Sequence, residues 1–247
     1  MTASETRRLR AELETRTLEL AGAFRERHAP LTPQRMAAAI GFRWRAVPLD
    51  GRDGLLDPSS RTILTAAEQP AARQRFTLAH EVMHYLIEQD ADLLSDLHEA
   101  YQGPALESAL ERLCNLGAAE MLLPRAAVAR ALKEAGPNPR LLWELAGRFG
   151  VSEPAAAVAL AGALGLDALA AVFGGRPLVV YFAFGAGAPP RGSVVAPEHP
   201  IAAVRATEIA HRGPLELPGG ARAAAGWARA HRGRVYLLAT GVEAGGG

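Results

Sequence analysis

The chain has 247 residues, 49% apolar and 21% charged, with a formal net charge of +1. A chain of this length buries a large core without covalent staples, and a balance this close to neutral argues against a strongly electrostatic nucleic-acid binder. Cys114 is the only cysteine, which excludes an intramolecular disulfide. No run reaches membrane-spanning length without a charge or a Gly/Pro break, and the N-terminal stretch has no signal-peptide core, so a cytoplasmic protein is expected.

In chain order, residues 5–27 place Leu9, Leu13, Leu20 and Phe24 at near-helical spacing, which predicts an amphipathic helix. A short second helix is expected over "LTPQRMAAAIG", with Thr32 as N-cap, Pro33 in the first turn and Gly41 past the end. The segments "FRWRAVPL", "GLLD" and "RTILTA" read as three short strands of a small antiparallel sheet. A long helix around His80 follows, then a polar stretch to about Pro104, then a second long helix ending at Pro124. A further helix runs from Arg125 to Glu134. Residues 140–164 read as helix, Gly-containing turn, helix, the shape of a helix-turn-helix. "FGGRP" reads as a linker, "PLVVYFAF" and "RVYLLAT" as strands, "RAAAGWARAHR" as a helical piece and the terminal "GGG" as disordered. The expected fold class is α+β. It comprises a mainly helical peptidase-like domain over residues 1–124, a helix-turn-helix segment over 125–170 and a C-terminal α/β domain over 171–247.

The chemistry concentrates in "RQRFTLAHEVMHYLIEQD". Residues four apart share a helix face, so His80 and His84 converge on one point, while Glu81 points about 100° away. This is the H-E-x-x-H arrangement, two metal-ligating histidines and a carboxylate placed to act as general base. The alternative is an ordinary amphipathic helix that happens to carry two histidines. The remaining face, with Phe76, Leu78, Val82, Met83 and Ile87, is strongly apolar, and polar groups buried there need partners.

Four residues compete for the third ligand. Asp90 would need the helix to break after His84, and "YLIEQ" holds no breaker; on a continuing helix it lies about 240° round from His84. Glu88 is on the right face but about 12 Å along the axis from His80. His98 stands alone in a polar stretch. Glu111 lies mid-helix in a segment able to pack antiparallel on the first, with Asn115 four residues on and able to accept the far N–H of a ligand histidine. The competing role for Glu111 is a surface pair with Arg112. Tyr85, Tyr101 and His98 are candidate donors to the oxyanion.

Two blocks, "RQRFTLAHEVMHYLI" and "ERLCNLGAAEMLLP", together resemble the ImmA/IrrE metallopeptidases. The likeness covers roughly residues 10–165, and the three-part layout is similar to the family's deinococcal radiation-response branch. By that match His80, His84 and Glu111 are expected to hold the metal (Zn²⁺, with Mn²⁺ the other ion such a set admits). Glu81 is the expected base and Asn115 the residue behind a ligand histidine. The resemblance implies a GAF-like C-terminal domain and cleavage of a helix-turn-helix repressor of the DdrO type, relieving silencing of DNA-damage and radiation-response genes. Met83, Cys114, Leu116 and Gly117 depart from the family's usual residues.

Two other classes stay in view. One is a DNA-binding regulator with a non-catalytic metal site. Against it, Pro154–Leu166 holds no Arg, Lys, Asn or Gln to read base edges, and residues 125–153 carry five basic and three acidic groups, so direct DNA binding is not expected. The other is a ligand-gated stress sensor, with Tyr181, Phe182, Phe184 and Trp227 lining a C-terminal pocket. "RTILT" is a candidate sheet edge for an extended protein substrate. The sequence leaves the oligomeric state open.

Overall fold

The computed structural model describes residues 3–208 and 210–243; the terminal glycines 245–247 lie outside the described residues. The chain divides into two compact units, residues 1–124 and 125–247. No helix among the described residues is long and apolar enough to cross a membrane.

The first unit opens with α1 (Ala3–His28), whose Leu13, Thr17, Ala21 and Phe24 recur at helical spacing and are buried. α2 (Pro33–Ala39) begins as expected, with the Thr32 hydroxyl accepting from the Arg35 N–H at 3.3 Å and Pro33 in the first turn. Strands β1 (Arg43–Val47), β2 (Gly54–Asp57) and β3 (Thr62–Ala66) form a sheet in the order β1-β3-β2. The expected antiparallel sheet is corrected here to a mixed one. β2 and β3 form an antiparallel hairpin across residues 58–61, but β1 runs parallel to β3. The 48–53 turn carries the chain past the position of β3 to the far edge, so β1 and β2 never pair. "RTILT" is therefore the central strand, not an edge.

Helices α3 (Ala71–Gln89), α4 (Ala91–Ala100) and α5 (Pro104–Leu122) complete the unit. α3 packs against β2, β3 and α5, burying Thr77, Leu78, Ala79, Val82, Met83 and Ile87. The polar stretch expected after it is a helix, α4. Asp90 ends α3 and caps α4, its carboxylate accepting from the Leu93 N–H at 2.9 Å, while Leu93 and Leu97, one turn apart, are buried. Arg16 of α1 fastens this junction through Asp90 at 3.1 Å and Asp96 at 2.6 Å. At its other end α1 sends Arg25 to the Met121 carbonyl at 2.6 Å, satisfying an orphan acceptor in the last turn of α5.

The second unit holds α6 (Arg125–Ala135), α7 (Arg140–Phe149), α8 (Glu153–Leu164), β4 (Leu169–Gly174), β5 (Val179–Gly185), α9 (Pro200–Thr207), β6 (His211–Glu216), β7 (Arg222–His231) and β8 (Arg234–Glu243). Its five strands are ordered β5-β4-β8-β7-β6 and pair antiparallel throughout. Every residue of β4 is buried, because helices cover both faces of the sheet. On one side Ile201 and Val204 of α9 join Leu169, Phe173, Val180 and Leu237. On the other, α8 packs on β4 and β5 with Ala156, Ala157, Leu160 and Ala161 buried. The division expected between 170 and 171 falls within this unit. "FGGRP" is the turn from β4 to β5, not a linker. "RAAAGWARAH" is strand β7, not a helix; it lies between β6 and β8, where a β-carbon at Gly226 would stand 3.2 Å from Leu215 Cβ.

Candidate metal centre

α3 continues unbroken past His84, so His80 and His84 lie one turn apart, their rings edge-on with centroids 4.7 Å apart. α5 lies antiparallel beside them: Glu111 reaches His84 and, one turn further along α5, Asn115 reaches His80. His80 Nε2 is 3.1 Å from His84 Nε2 and 3.3 Å from Glu111 Oε2, and His84 Nε2 is 3.1 Å from Glu111 Oε1. This is the group of potential ligands that converges among the described residues, with all three donor atoms within 4.8 Å of one another.

The protonation pattern tests whether a cation fits. Asn115 Oδ1 lies 3.1 Å from His80 Nδ1 and only accepts, so the imidazole hydrogen sits on Nδ1 and the Nε2 lone pair faces the cluster. There it meets a carboxylate and a second imidazole nitrogen. A single proton on His84 Nε2 serves one acceptor well, whereas a cation serves all three. Ligand atoms about 2.05 Å from a tetrahedral ion stand about 3.3 Å apart, close to the His80–His84 spacing and to the spacing of each imidazole from its nearer Glu111 oxygen. The histidine side chains are 16% and 20% exposed and that of Glu111 52%, so the cluster lies at the surface end of a part-buried helix pair.

The surface pair that competed for Glu111 is not formed. Arg112 turns to Glu14 and, at 3.4 Å, to the Tyr101 hydroxyl, leaving Glu111 with the histidines. Burial pushes the Glu81 carboxyl above the ordinary carboxylate range, and the neighbouring Glu111 charge adds to the effect. Burial, then the proximity of His84, lowers His80 below the ordinary imidazole range, which favours the neutral ring that ligation requires. Burial also pushes the Cys114 thiol up, so it stays an inert core group.

The other candidates lie elsewhere. Asp90 is engaged at the α3–α4 junction, Glu88 is exposed near the end of α3, and His98 is exposed on α4. Tyr85 meets Phe42 edge-on at 5.6 Å between centroids, and Tyr101 is buried beneath the Arg10 guanidinium.

Two features went unread in the sequence. A β-carbon at Gly54, the first residue of β2, would collide with Thr77 Cγ2 and stand 3.3 Å from Glu81 Oε1, so a glycine lets the edge strand approach Glu81. Asp53, the preceding residue, accepts from Arg73 and Gln69 and ties that approach to the start of α3. The signal was the "DG" ending the turn, which also reads as plain turn chemistry. The second feature joins two of the departures. A β-carbon at Gly117 would stand 2.5 Å from Met83 Cε, so the large residue on α3 and the missing side chain on α5 are one packing exchange.

This mixed α+β frame, with a His/His/carboxylate cluster between two helices, matches a known peptidase family. Residues 39–161 fit the model of the IrrE N-terminal-like domain, so this stretch of the chain carries a domain of that family. The chain is 45% identical over 129 residues to the radiation response metalloprotease IrrE of Deinococcus radiodurans, an alignment covering 52% of this chain and 39% of that protein. It is 45% identical over 130 residues to the protein of the same name from Deinococcus deserti, covering 53% and 46%. The matched stretch thus spans less than half the length of either curated relative. Among solved structures, a Mycobacterium tuberculosis transcriptional regulator superposes with a TM-score of 0.52 over 95% of this chain and 81% of that one, at 15% identity, a likeness of fold alone.

Proposed function

We propose that the protein is a metal-dependent endopeptidase of the gluzincin type, with His80, His84 and Glu111 as the metal ligands and Glu81 as the general base. The observation that carries this reading is the convergence of two imidazole Nε2 atoms and the Glu111 carboxylate at 3.1–3.3 Å, with Asn115 accepting from His80 Nδ1. When bound, a divalent ion supplies Lewis-acid activation of water and of the peptide carbonyl. Zn²⁺ suits the set, and Mn²⁺ is the other ion a carboxylate-containing set takes. Glu81 accepts the proton of the attacking water and returns it to the leaving amine nitrogen, a role its raised pKa favours. Asn115 holds the His80 ring so that Nε2 stays directed at the cluster. An extended peptide added to the edge of β2, unpaired among the described residues, would pass near Gly54 and Glu81.

The proposed substrate is a cytoplasmic helix-turn-helix repressor of the DdrO type, whose cleavage would release DNA-damage and radiation-response genes. Support comes from the family resemblance and from the name of the two deinococcal relatives. The α7–α8 pair keeps the outline of a helix-turn-helix: Gly150 is left-handed at φ +62° and Ser152 caps α8, accepting from the Ala155 N–H at 3.2 Å. We assign it no DNA readout, because α8 lies against the sheet and its exposed Val158, Gly162 and Ala163 offer no side-chain donor. The antiparallel sheet flanked by helices supports a GAF-like reading of the C-terminal region. A sensor pocket is not part of the proposal: β4 and β8 separate Trp227 on β7 from β5, where Tyr181 and Phe184 are exposed.

The test mixes the metal-loaded protein with the host's candidate stress-response repressor, beside Glu81→Gln, and reads fragment masses. One discrete cut, lost by about 10²-fold or more in the variant, supports the proposal. No cut with either ion and a confirmed cognate repressor overturns it in favour of a regulator that acts by binding.

A further inference from the structure

Among the described residues the edge of the first sheet opposite β2 is also unpaired, and its chemistry differs. β1 flanks a cleft of about 590 Å³ whose lining includes Gln34, Phe42, Arg43, Arg45, Thr62 and Leu64, and no carboxylate. The register places Arg43 and Arg45 beside Thr62 and Leu64 on one face of the sheet. Elsewhere in this unit Arg16, Arg73 and Arg112 each hold a carboxylate. Among the described residues Arg43 and Arg45 have no carboxylate partner, and both are exposed. Arg61, in the turn before β3, is a further exposed arginine outside the cleft lining.

The main chain of β1 adds a direction. The Arg43 N–H donates to the Arg61 carbonyl at 2.8 Å, and the Val47 carbonyl accepts from the Ala67 N–H at 3.0 Å. Residues 43, 45 and 47 thus present their peptide groups to β3. By strand alternation the N–H and C=O groups of Trp44 and Ala46 face the outer edge, where no strand pairs with them among the described residues.

We propose that the β1 cleft docks an extended acidic peptide segment, which adds to the strand edge through Trp44 and Ala46 and places its carboxylates against Arg43 and Arg45. Resting on the endopeptidase reading above, this segment belongs to the protein substrate and lies apart from the bond that is cut. Docking of this kind gives a single-site protease specificity that the metal centre alone does not supply. A peptide fits better than a nucleic acid on two grounds. A strand edge rewards a partner with its own N–H and C=O groups, and duplex binding draws on a wider basic field, on the order of six to ten phosphate contacts.

The test uses the full chain and fluorescein-labelled (Glu-Val)₅, with (Gln-Val)₅ as the neutral probe, followed by anisotropy. (Glu-Val)₅ binds, weakens as salt rises and loses at least about tenfold in affinity in the double variant Arg43→Glu/Arg45→Glu. His80→Ala leaves the binding unchanged. Should the double variant not fold, Arg45→Gln with hydrogen exchange decides instead, since bound peptide protects the Trp44 and Ala46 amides. Equal binding of the neutral probe, unchanged affinity in the variants, or displacement by a DNA duplex that itself binds more tightly overturns the proposal. The two readings fail separately: repressor cleavage without peptide binding removes only the docking site, and peptide binding without cleavage removes only the peptidase.

Discussion

A polar cluster in each unit lies between packed elements, and the two are built on opposite rules. In the second unit Glu153 of α8 accepts from the Tyr236 hydroxyl at 2.8 Å and from Arg234 at 2.5 Å, while Trp143 of α7 stacks on His231 at 4.4 Å. The Tyr236 hydroxyl and the Arg234 guanidinium thus each donate to a Glu153 oxygen. Burial and Glu153 push the Tyr236 phenol up to about 12, so it remains a donor at any physiological pH. In the first unit His80, His84 and Glu111 bring acceptors together with too few protons between them. A cluster that closes its own hydrogen bonds joins helices to a sheet, and a cluster that leaves acceptors facing one another is suited to a cation. Composition alone does not separate them, since both combine histidine, glutamate and an uncharged polar group.

Substitutions sharpen this contrast, beginning with the largest expected effect. Glu153→Ala strands the buried Tyr236 hydroxyl and frees Arg234, and should lower stability by about 2–3 kcal/mol in urea melts while leaving metal affinity alone. An unchanged melting curve would remove the structural role assigned to this cluster. Asn115→Ala should leave the melting curve in place and weaken metal binding by about 10- to 100-fold, because His80 loses the acceptor that fixes its tautomer. Equal metal affinity in that variant would argue that His80 is oriented by packing alone. Gly117→Ala crowds Met83 and should cost about 1–2 kcal/mol; Met83→Ala in the same chain should recover part of that loss, giving a favourable coupling in a double-mutant cycle. Simple additivity would show that the two departures are unrelated.

The same contrast explains what could be read from the sequence. The convergence of His80, His84, Glu111 and Asn115 was legible because helical spacing fixes which residues share a face, and all four sit on long helices. α4 was missed because its apolar face is only Leu93 and Leu97, set among charges, although Asp90 gave a capping signal. β7 was misread because alanine favours helices and the period of two is concealed when small residues occupy both faces. Ala223 and Ala228 are buried while Ala224 is exposed, and pairing with β6 and β8 overrides the local preference. The parallel pairing of β1 with β3 depends on where the 48–53 turn delivers the chain, which no local pattern encodes. Gly54 looked like a turn residue because its use, an approach to Thr77 and Glu81, exists only once α3 has packed on the sheet.

Equilibrium dialysis with Zn²⁺ tests most directly whether His80, His84 and Glu111 form one metal site. The wild-type chain should bind one ion per molecule, and His80→Ala and Glu111→Ala, both folded by circular dichroism, should each lose at least about 100-fold in affinity. Binding that is absent in the wild type, or unchanged in both variants, would contradict it.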